Sequence, residues 1–270
     1  MKNSSPNFFE EVYKNGEKTG YVISPRVELE SIIEEFIFIL CENEMEIETL
    51  PSTSVSFDFT VNGSITMVDE VNNWNIELPK AVAFGVTTRS FKFKFAKKTL
   101  LFVVKFKPGW AGAVINLPID EMFEKFIQLD TIFDKRKISL ISEHLKNFKT
   151  FEEIVHFMED FLLKEIKASY QNEMIGEALE FIKEEGGLTS IKDLVEELCV
   201  ERYLFDRKFK IQVGTTPKQY SKIIRFRSLF ETKKSEESLI QLGLNAGYYD
   251  QAHFIKNFKS VTGRTPSQVL

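Results

Sequence analysis

Cysteine is scarce in this chain. Cys41 and Cys199 lie far apart and neither belongs to a Cys-x-x-Cys pair, which argues against a disulfide framework or a zinc ribbon and for a reducing compartment. Histidine is nearly as rare. A metal site in a strand barrel needs clustered histidines and carboxylates, and His144, His156 and His253 all fall on segments that read as helix; no metal and no cofactor are expected. With 13 Gly and 8 Pro in 270 residues, a collagen-like or low-complexity chain is excluded. The longest apolar stretch, Phe36 to Leu40, is far short of the roughly 20 residues that span a bilayer. Met1 to Pro6 lacks the apolar core of about 7–15 residues of a signal peptide, so a cytoplasmic protein is expected. No Gly-x-Ser-x-Gly elbow or Walker loop occurs, and Cys41 is followed by Glu42 and Glu44, a poor setting for a thiolate nucleophile. An enzyme is not expected.

Phenylalanine is abundant, 26 residues of 270, so aromatic packing should dominate the core. At about 100–200 residues per domain, the length suggests two domains. The first third reads as strands. Val55 to Val61 alternates apolar and polar, Asn62-Gly63 looks like a hairpin turn into Ser64 to Val68, Phe91 to Phe95 alternates again, and Leu100 to Phe106 is closed by Pro108-Gly109. Such runs suggest an antiparallel barrel or sandwich. Beyond Pro118 the period becomes helical. Met122, Phe123, Phe126 and Ile127 fit one helical face, and Ile154, Val155, Met158, Phe161, Leu162 and Ile166 make a longer stripe. From Glu173 onward only helices are expected. The fold class is therefore α+β: an antiparallel β-rich N-terminal domain with flanking helices, residues 1–170, and an all-α C-terminal domain, residues 171–270. The boundary is expected between Ser169 and Asn172, with the domains closely apposed because no Pro-rich or Ser-rich linker separates them.

The last 80 residues contain an internal repeat. Displaced by 49 positions, Glu201, Phe205, Arg207, Phe209-Lys210, Gly214, Thr216-Pro217 and Gln219 coincide with Asp250, Phe254, Lys256, Phe258-Lys259, Gly263, Thr265-Pro266 and Gln268. Each phenylalanine pair is spaced i, i+4, so both rings share an inner helical face. Glu201 and Asp250 are expected to cap helix starts, Gly214 and Gly263 to end the helices, and Thr-Pro to start the next segment. Each copy follows a shorter amphipathic helix: Ile191, Leu194, Val195 and Leu198, with Ser190 and Asp193 as a capping box, then Leu239, Ile240, Leu242, Leu244 and Ala246, ended by Gly247. Two helices around a short turn, with an aromatic inner face, make the helix-turn-helix plan, here in tandem.

The net charge of −5 by itself speaks against a nucleic-acid binder, but charge is unevenly placed. Between Glu201 and Phe230 stand Arg202, Arg207, Lys208, Lys210, Lys218, Lys222, Arg225 and Arg227 against Glu201 and Asp206 alone. Phosphate binding requires such a basic face, which a whole-chain sum conceals.

Gly247-Tyr248-Tyr249-Asp250-Gln251-Ala252-His253-Phe254-Ile255-Lys256-Asn257-Phe258-Lys259, followed by Gly263-Arg264-Thr265-Pro266-Ser267, resembles the signature of the AraC/XylS transcription regulators. The resemblance covers about the last 90 residues, and Phe209-Lys210, Gly214, Pro217 and Tyr220 fit it in the first copy. It implies two helix-turn-helix units reading adjacent major-groove segments of double-stranded DNA. By position it implies base or backbone contacts for Arg202, Tyr203, Asp206 and Arg207 in the first unit, and for Gln251, Ala252, His253 and Lys256 in the second. A carboxylate at Asp206 repels phosphate yet accepts from cytosine N4, and Ala252 offers only an apolar contact such as a thymine methyl.

Members of this build usually carry an N-terminal sensing or dimerising domain, often a small cupin-like barrel. Lys107-Pro108-Gly109-Trp110-Ala111-Gly112 resembles one uncharacterised branch. The resemblance implies RNA polymerase as a partner where the regulator activates; it leaves open a small-molecule effector in the N-terminal domain and a homodimer. Trp74, Trp110 and the Phe-rich strands are candidates to line an apolar pocket, with plain core packing as the alternative. The rival functional reading is a regulator that binds another protein and touches DNA weakly, for which Asp206 and Ala252 speak.

Overall fold

The computed structural model describes residues 9–14, 17–70, 72–167, 170, 173–232 and 238–270. The N-terminal part contains strands β1 (Phe9–Lys14), β2 (Glu17–Ile23), β3 (Ile33–Cys41), β4 (Met45–Thr49), β5 (Ser56–Asn62) and β6 (Ile65–Asp69). It continues with β7 (Trp74–Glu77), β8 (Ala81–Phe84), β9 (Phe91–Phe95), β10 (Thr99–Phe106) and β11 (Phe126–Gln128). Among the described residues these form a seven-stranded sheet, β1-β2-β3-β10-β5-β8-β11, and a four-stranded sheet, β4-β9-β6-β7. All pairings are antiparallel, the sandwich-like arrangement expected.

Strand alternation divides the large sheet into two working faces. Phe36 and Phe38 of β3, Phe57 and Phe59 of β5, and Phe102, Val104 and Phe106 of β10 form one core. It is covered by helices α1 (Leu129–Ile132), α2 (Lys135–Leu145) and α3 (Phe151–Glu165). Ile37, Ile39 and Cys41, with Leu101 and Val103, face the small sheet and pack with Ile65, Met67, Phe91 and Phe95. Helix α3 is clamped to the start of this layer through Glu159, almost fully buried, whose carboxylate accepts from Arg26 Nε at 2.9 Å and from the Arg26 backbone N–H at 2.7 Å.

Two local expectations are corrected. Asn62-Gly63 does not close a hairpin, because β5 and β6 lie in different sheets. β5 is already paired on both edges, by β10 and β8. Of the two turn residues Gly63 alone has positive φ, +71°, whereas a type I′ hairpin turn requires it at both. The helical face expected over Met122, Phe123, Phe126 and Ile127 is also absent. Ile119–Met122 is a single 3-10 turn, Glu124 takes φ of 58°, and Phe126–Gln128 adds to the free edge of β8. An open sheet edge supplied a backbone partner that the local periodicity does not reveal.

The remaining helices are α4 (Glu173–Glu184), α5 (Ile191–Glu197), α6 (Arg202–Val213), α7 (Pro217–Thr232), α8 (Leu239–Asn245), α9 (Gln251–Thr262) and α10 (Pro266–Val269). One core joins α4, α5, α6 and α7 through Ile175, Leu179, Leu194, Phe205, Phe209 and Tyr220. A second joins α7, α8 and α9 through Phe226, Leu229, Leu242, Phe254 and Phe258. Helix α7 serves both, with Tyr220 against Phe209 and Phe226 against Phe258. Of the expected boundary residues, Ser169, Gln171 and Asn172 lie outside the described residues.

Candidate nucleic-acid interface

Each repeat copy builds one helix with a buried aromatic side and an exposed side. On α6, Phe205 and Phe209 are fully buried and their ring centroids lie 5.6 Å apart. On α9, Phe254 and Phe258 are buried with centroids 5.9 Å apart. Gly214 and Gly263 end these helices at φ of 94° and 74°, the left-handed region where a Cβ is costly. The capping expectation holds for one copy. Asp250 Oδ1 accepts from the His253 backbone N–H at 2.7 Å, whereas the Glu201 side chain makes no capping bond. A glutamate carries one methylene more than the short side chains that suit this position. Ser190 and Ser238 cap α5 and α8; Ser190 accepts from the Asp193 backbone N–H at 3.4 Å. Gly243 lets α8 approach α9, since a Cβ there would lie 2.9 Å from the Phe254 ring. Ile240 and Leu244, expected on the inner face of α8, are about half exposed.

The outward side of α6 holds the first group of sequence candidates together. Arg202, Tyr203, Asp206 and Arg207 line one open crevice with Lys210, Thr216, Pro217 and Lys218. Tyr203 is 66% exposed. Within the crevice Arg202 Nε donates to Asp206 Oδ2 at 2.7 Å, an i, i+4 ion pair. On α9, Gln251, Ala252, His253 and Lys256 are all exposed, and the His253 ring packs against Tyr248 at 5.5 Å.

The basic window divides into two sets. Lys210 pairs with Asp120 of the N-terminal part at 3.6 Å, Arg225 lies 4.8 Å from the Tyr248 ring, and Arg227 Nη1 donates to the Pro51 carbonyl at 3.0 Å. Arg207, Lys208, Lys218 and Lys222 are exposed and make no ion pair or side-chain hydrogen bond among the described residues. Lys218 is the residue that sequence reasoning counted without giving it a place. Its signal was the Thr-Pro that starts α7 beside the crevice.

The two parts of the molecule are in close contact, as expected. Glu48 of β4 pairs with Arg264, and the Ser90 N–H donates to the Val261 carbonyl at 3.0 Å. Leu50 packs on the α7–α9 core. A Cβ on Gly214 would lie 2.9 Å from Ile119. Tyr220, buried at this seam, hydrogen-bonds Thr53, and burial pushes its hydroxyl pKa up. The segment from Thr49 to Ser54, which receives the contacts at Leu50, Pro51 and Thr53, also borders a cavity of about 210 Å³ between the two sheets.

That cavity corrects the pocket expectation in part. Phe84, Phe91, Phe93 and Phe95 line it, but Trp74 is exposed on β7 and Trp110 borders a separate crevice with Pro108 and Tyr220. Ser56, Asp58 and Thr60, the polar side of β5, also point into it.

Comparison with known proteins matches two separate stretches of the chain. Residues 194–270 match the family described as a helix-turn-helix domain, and residues 21–128 match a domain of unknown function, DUF6597. An uncharacterized HTH-type transcriptional regulator of Haemophilus influenzae is 34% identical over 79 residues, 29% of this chain and 26% of that protein. The chain thus spans about a quarter of the length of that relative. Among solved structures, ToxT from Vibrio cholerae aligns over 86% of this chain and 95% of its own at 13% identity and a TM-score of 0.47. A ToxT structure with an unsaturated fatty acid bound aligns at 13% identity over 86% of this chain and 94% of its own, with a TM-score of 0.46. The C-terminal part, with both phenylalanine pairs buried and both terminal glycines left-handed, thus matches the helix-turn-helix domain family over residues 194–270.

Proposed function

We propose that the chain is a transcription regulator that binds double-stranded DNA with two helix-turn-helix units in residues 171–270, under the control of a sensing or dimerising domain in residues 1–170. The observation that carries this reading is that both repeat copies bury their phenylalanine pair and turn the candidate contact residues outward. In this reading α6 and α9 enter adjacent major-groove segments. Tyr203 and Arg207 meet base edges, Arg202 stands at the exposed start of the helix, and Asp206 accepts from cytosine or tempers phosphate attraction. On α9, His253 and Lys256 face base edges, Gln251 the backbone, and Ala252 a thymine methyl. Lys208, Lys218 and Lys222 supply phosphate contacts.

Cavity and DNA-binding units share the 49–54 segment, which offers a mechanical route from an effector to the DNA face. Further parts of the proposal are action in the cytoplasm, contact with RNA polymerase where it activates, and a homodimer formed through the N-terminal domain. The test is a salt titration of duplex binding. With six to ten phosphate contacts, affinity should fall by about 10³–10⁵ between 50 and 200 mM salt. Weak binding with a shallow slope would favour the second reading, a protein-interaction regulator, for which the Arg202–Asp206 pair across the crevice speaks.

A further inference from the structure

The cavity between the sheets has one chemically unusual wall. Strand register places Asp58 in a row with Val103 and Ile37 on one side and Val82 on the other, and its side chain points among Ile39, Ile65, Leu101, Phe91, Phe93 and Phe95. Among the described residues it is the one ionisable side chain on the wall. Among the described residues its carboxylate has a single hydrogen-bond partner, the Ser56 hydroxyl at 2.6 Å, and no ion pair; Lys105, opposite Ser56 in the next row, pairs with Glu34 and Glu35 instead. Ser54, next along the wall, meets Glu34 at 3.5 Å, a second carboxylate and not a counter-ion. Burial pushes the Asp58 carboxyl up to about 7. Buried carboxylates ordinarily have a cation or several donors; here the protein supplies one hydroxyl, beside a ring of phenylalanines.

We propose that this cavity binds a small apolar amine whose ammonium group pairs with Asp58 and whose apolar body lies among Phe84, Phe91, Phe93 and Phe95. This rests on the reading of the N-terminal domain as a sensor and names the chemical class it senses. The size fits: a cavity of about 150 Å³ admits benzene, so about 210 Å³ holds an aromatic ring with a short chain. The ring faces attract a cation as well as an apolar tail. A carboxylate ligand meets like charge at Asp58, and an alcohol leaves the anion uncompensated.

The test compares 2-phenylethylamine, 2-phenylethanol and 3-phenylpropionate by calorimetry on the full chain at pH 8, with duplex affinity measured alongside. The amine should bind at least tenfold more tightly than the alcohol, with no binding by the carboxylate. Its affinity should weaken at pH 5.5, where Asp58 takes up a proton; the charged groups in the neighbouring row, Glu34, Glu35 and Lys105, pair with one another. Asp58→Asn should remove the preference for the amine and leave the alcohol unchanged. Equal binding of amine and alcohol, tighter binding of the carboxylate, or no binding by any of the three overturns the proposal, and this comparison on the unmodified chain decides even if Asp58→Asn fails to fold. Tight amine binding that leaves duplex affinity unchanged keeps the ligand class and removes the sensing reading. A change in duplex affinity driven by the alcohol or the carboxylate does the reverse.

Discussion

Arg202 and Asp206, one turn apart on α6, neutralise each other across the crevice that would meet DNA, with Nε and Oδ2 at 2.7 Å. An exposed i, i+4 pair of this kind adds little to helix stability, about 0.3–0.5 kcal/mol. Its larger effect is on the field at the DNA face. Asp206→Asn is expected to leave the melting temperature almost unchanged and to raise affinity for unrelated duplexes about threefold, roughly 0.6 kcal/mol, by releasing Arg202 and removing a charge that repels phosphate. Fluorescence anisotropy on two unrelated duplexes checks this. A loss of affinity confined to sites with cytosine at one position would show base reading by Asp206 instead.

Lys218 stands exposed beside the same crevice, and Lys222 one turn further along α7 is exposed too. Either residue changed to alanine should weaken all sequences alike and flatten the salt dependence by about one unit of slope. Binding measured at several salt concentrations reads both effects. Loss restricted to one sequence would refute phosphate contact.

Phe258 is fully buried against Phe226, Phe230 and Phe254. Phe258→Ala should cost about 3–5 kcal/mol. Denaturant unfolding monitored by circular dichroism should show the loss in the C-terminal helices. Unchanged melting would contradict the inward face assigned to α9.

Asp58 gives a pH signature. Its carboxyl is raised in the folded state, to about 7 from 3.8, so the folded chain holds this proton where the unfolded chain has released it. Stability therefore falls as pH rises from about 4 to about 7 and levels above that, by up to roughly 4 kcal/mol in the limit of full burial. Asp58→Asn should remove this dependence, matching the parent near pH 4 and exceeding it near pH 8. Urea unfolding of both proteins across that range isolates the group by difference; a constant difference would show that Asp58 titrates normally.

Much of this was legible in the sequence where one residue type serves one local demand. The repeat fixed Phe205, Phe209, Phe254 and Phe258 as inner-face residues and Gly214 and Gly263 as helix ends, since i, i+4 spacing and left-handed termini are properties of a single helix. The failures were non-local. The alternation of Val55 to Val61 marked a strand, but its polar side lines a cavity beneath the second sheet, whose strands β4, β6, β7 and β9 come from residues on both sides of it in the chain. Asn62-Gly63 marked a turn but not which sheet the chain enters next. The helical spacing of Met122 to Ile127 yielded to the open edge of β8. Similarly, the basic window could be counted, but the engagement of Arg227 with Pro51 and of Lys210 with Asp120 depends on how the two parts dock.

The central claim is that two outward helix faces, on α6 and α9, read DNA together. Selection of bound sites from a random duplex pool, with the unmodified chain and Arg207→Ala in parallel, tests it most directly. The account predicts enrichment of two sequence blocks about one helical turn apart, 10–10.5 base pairs. Arg207→Ala should relax the preference in one block only and cost about 1–3 kcal/mol. Enrichment of a single block, or a mutation that degrades both blocks equally, would contradict it.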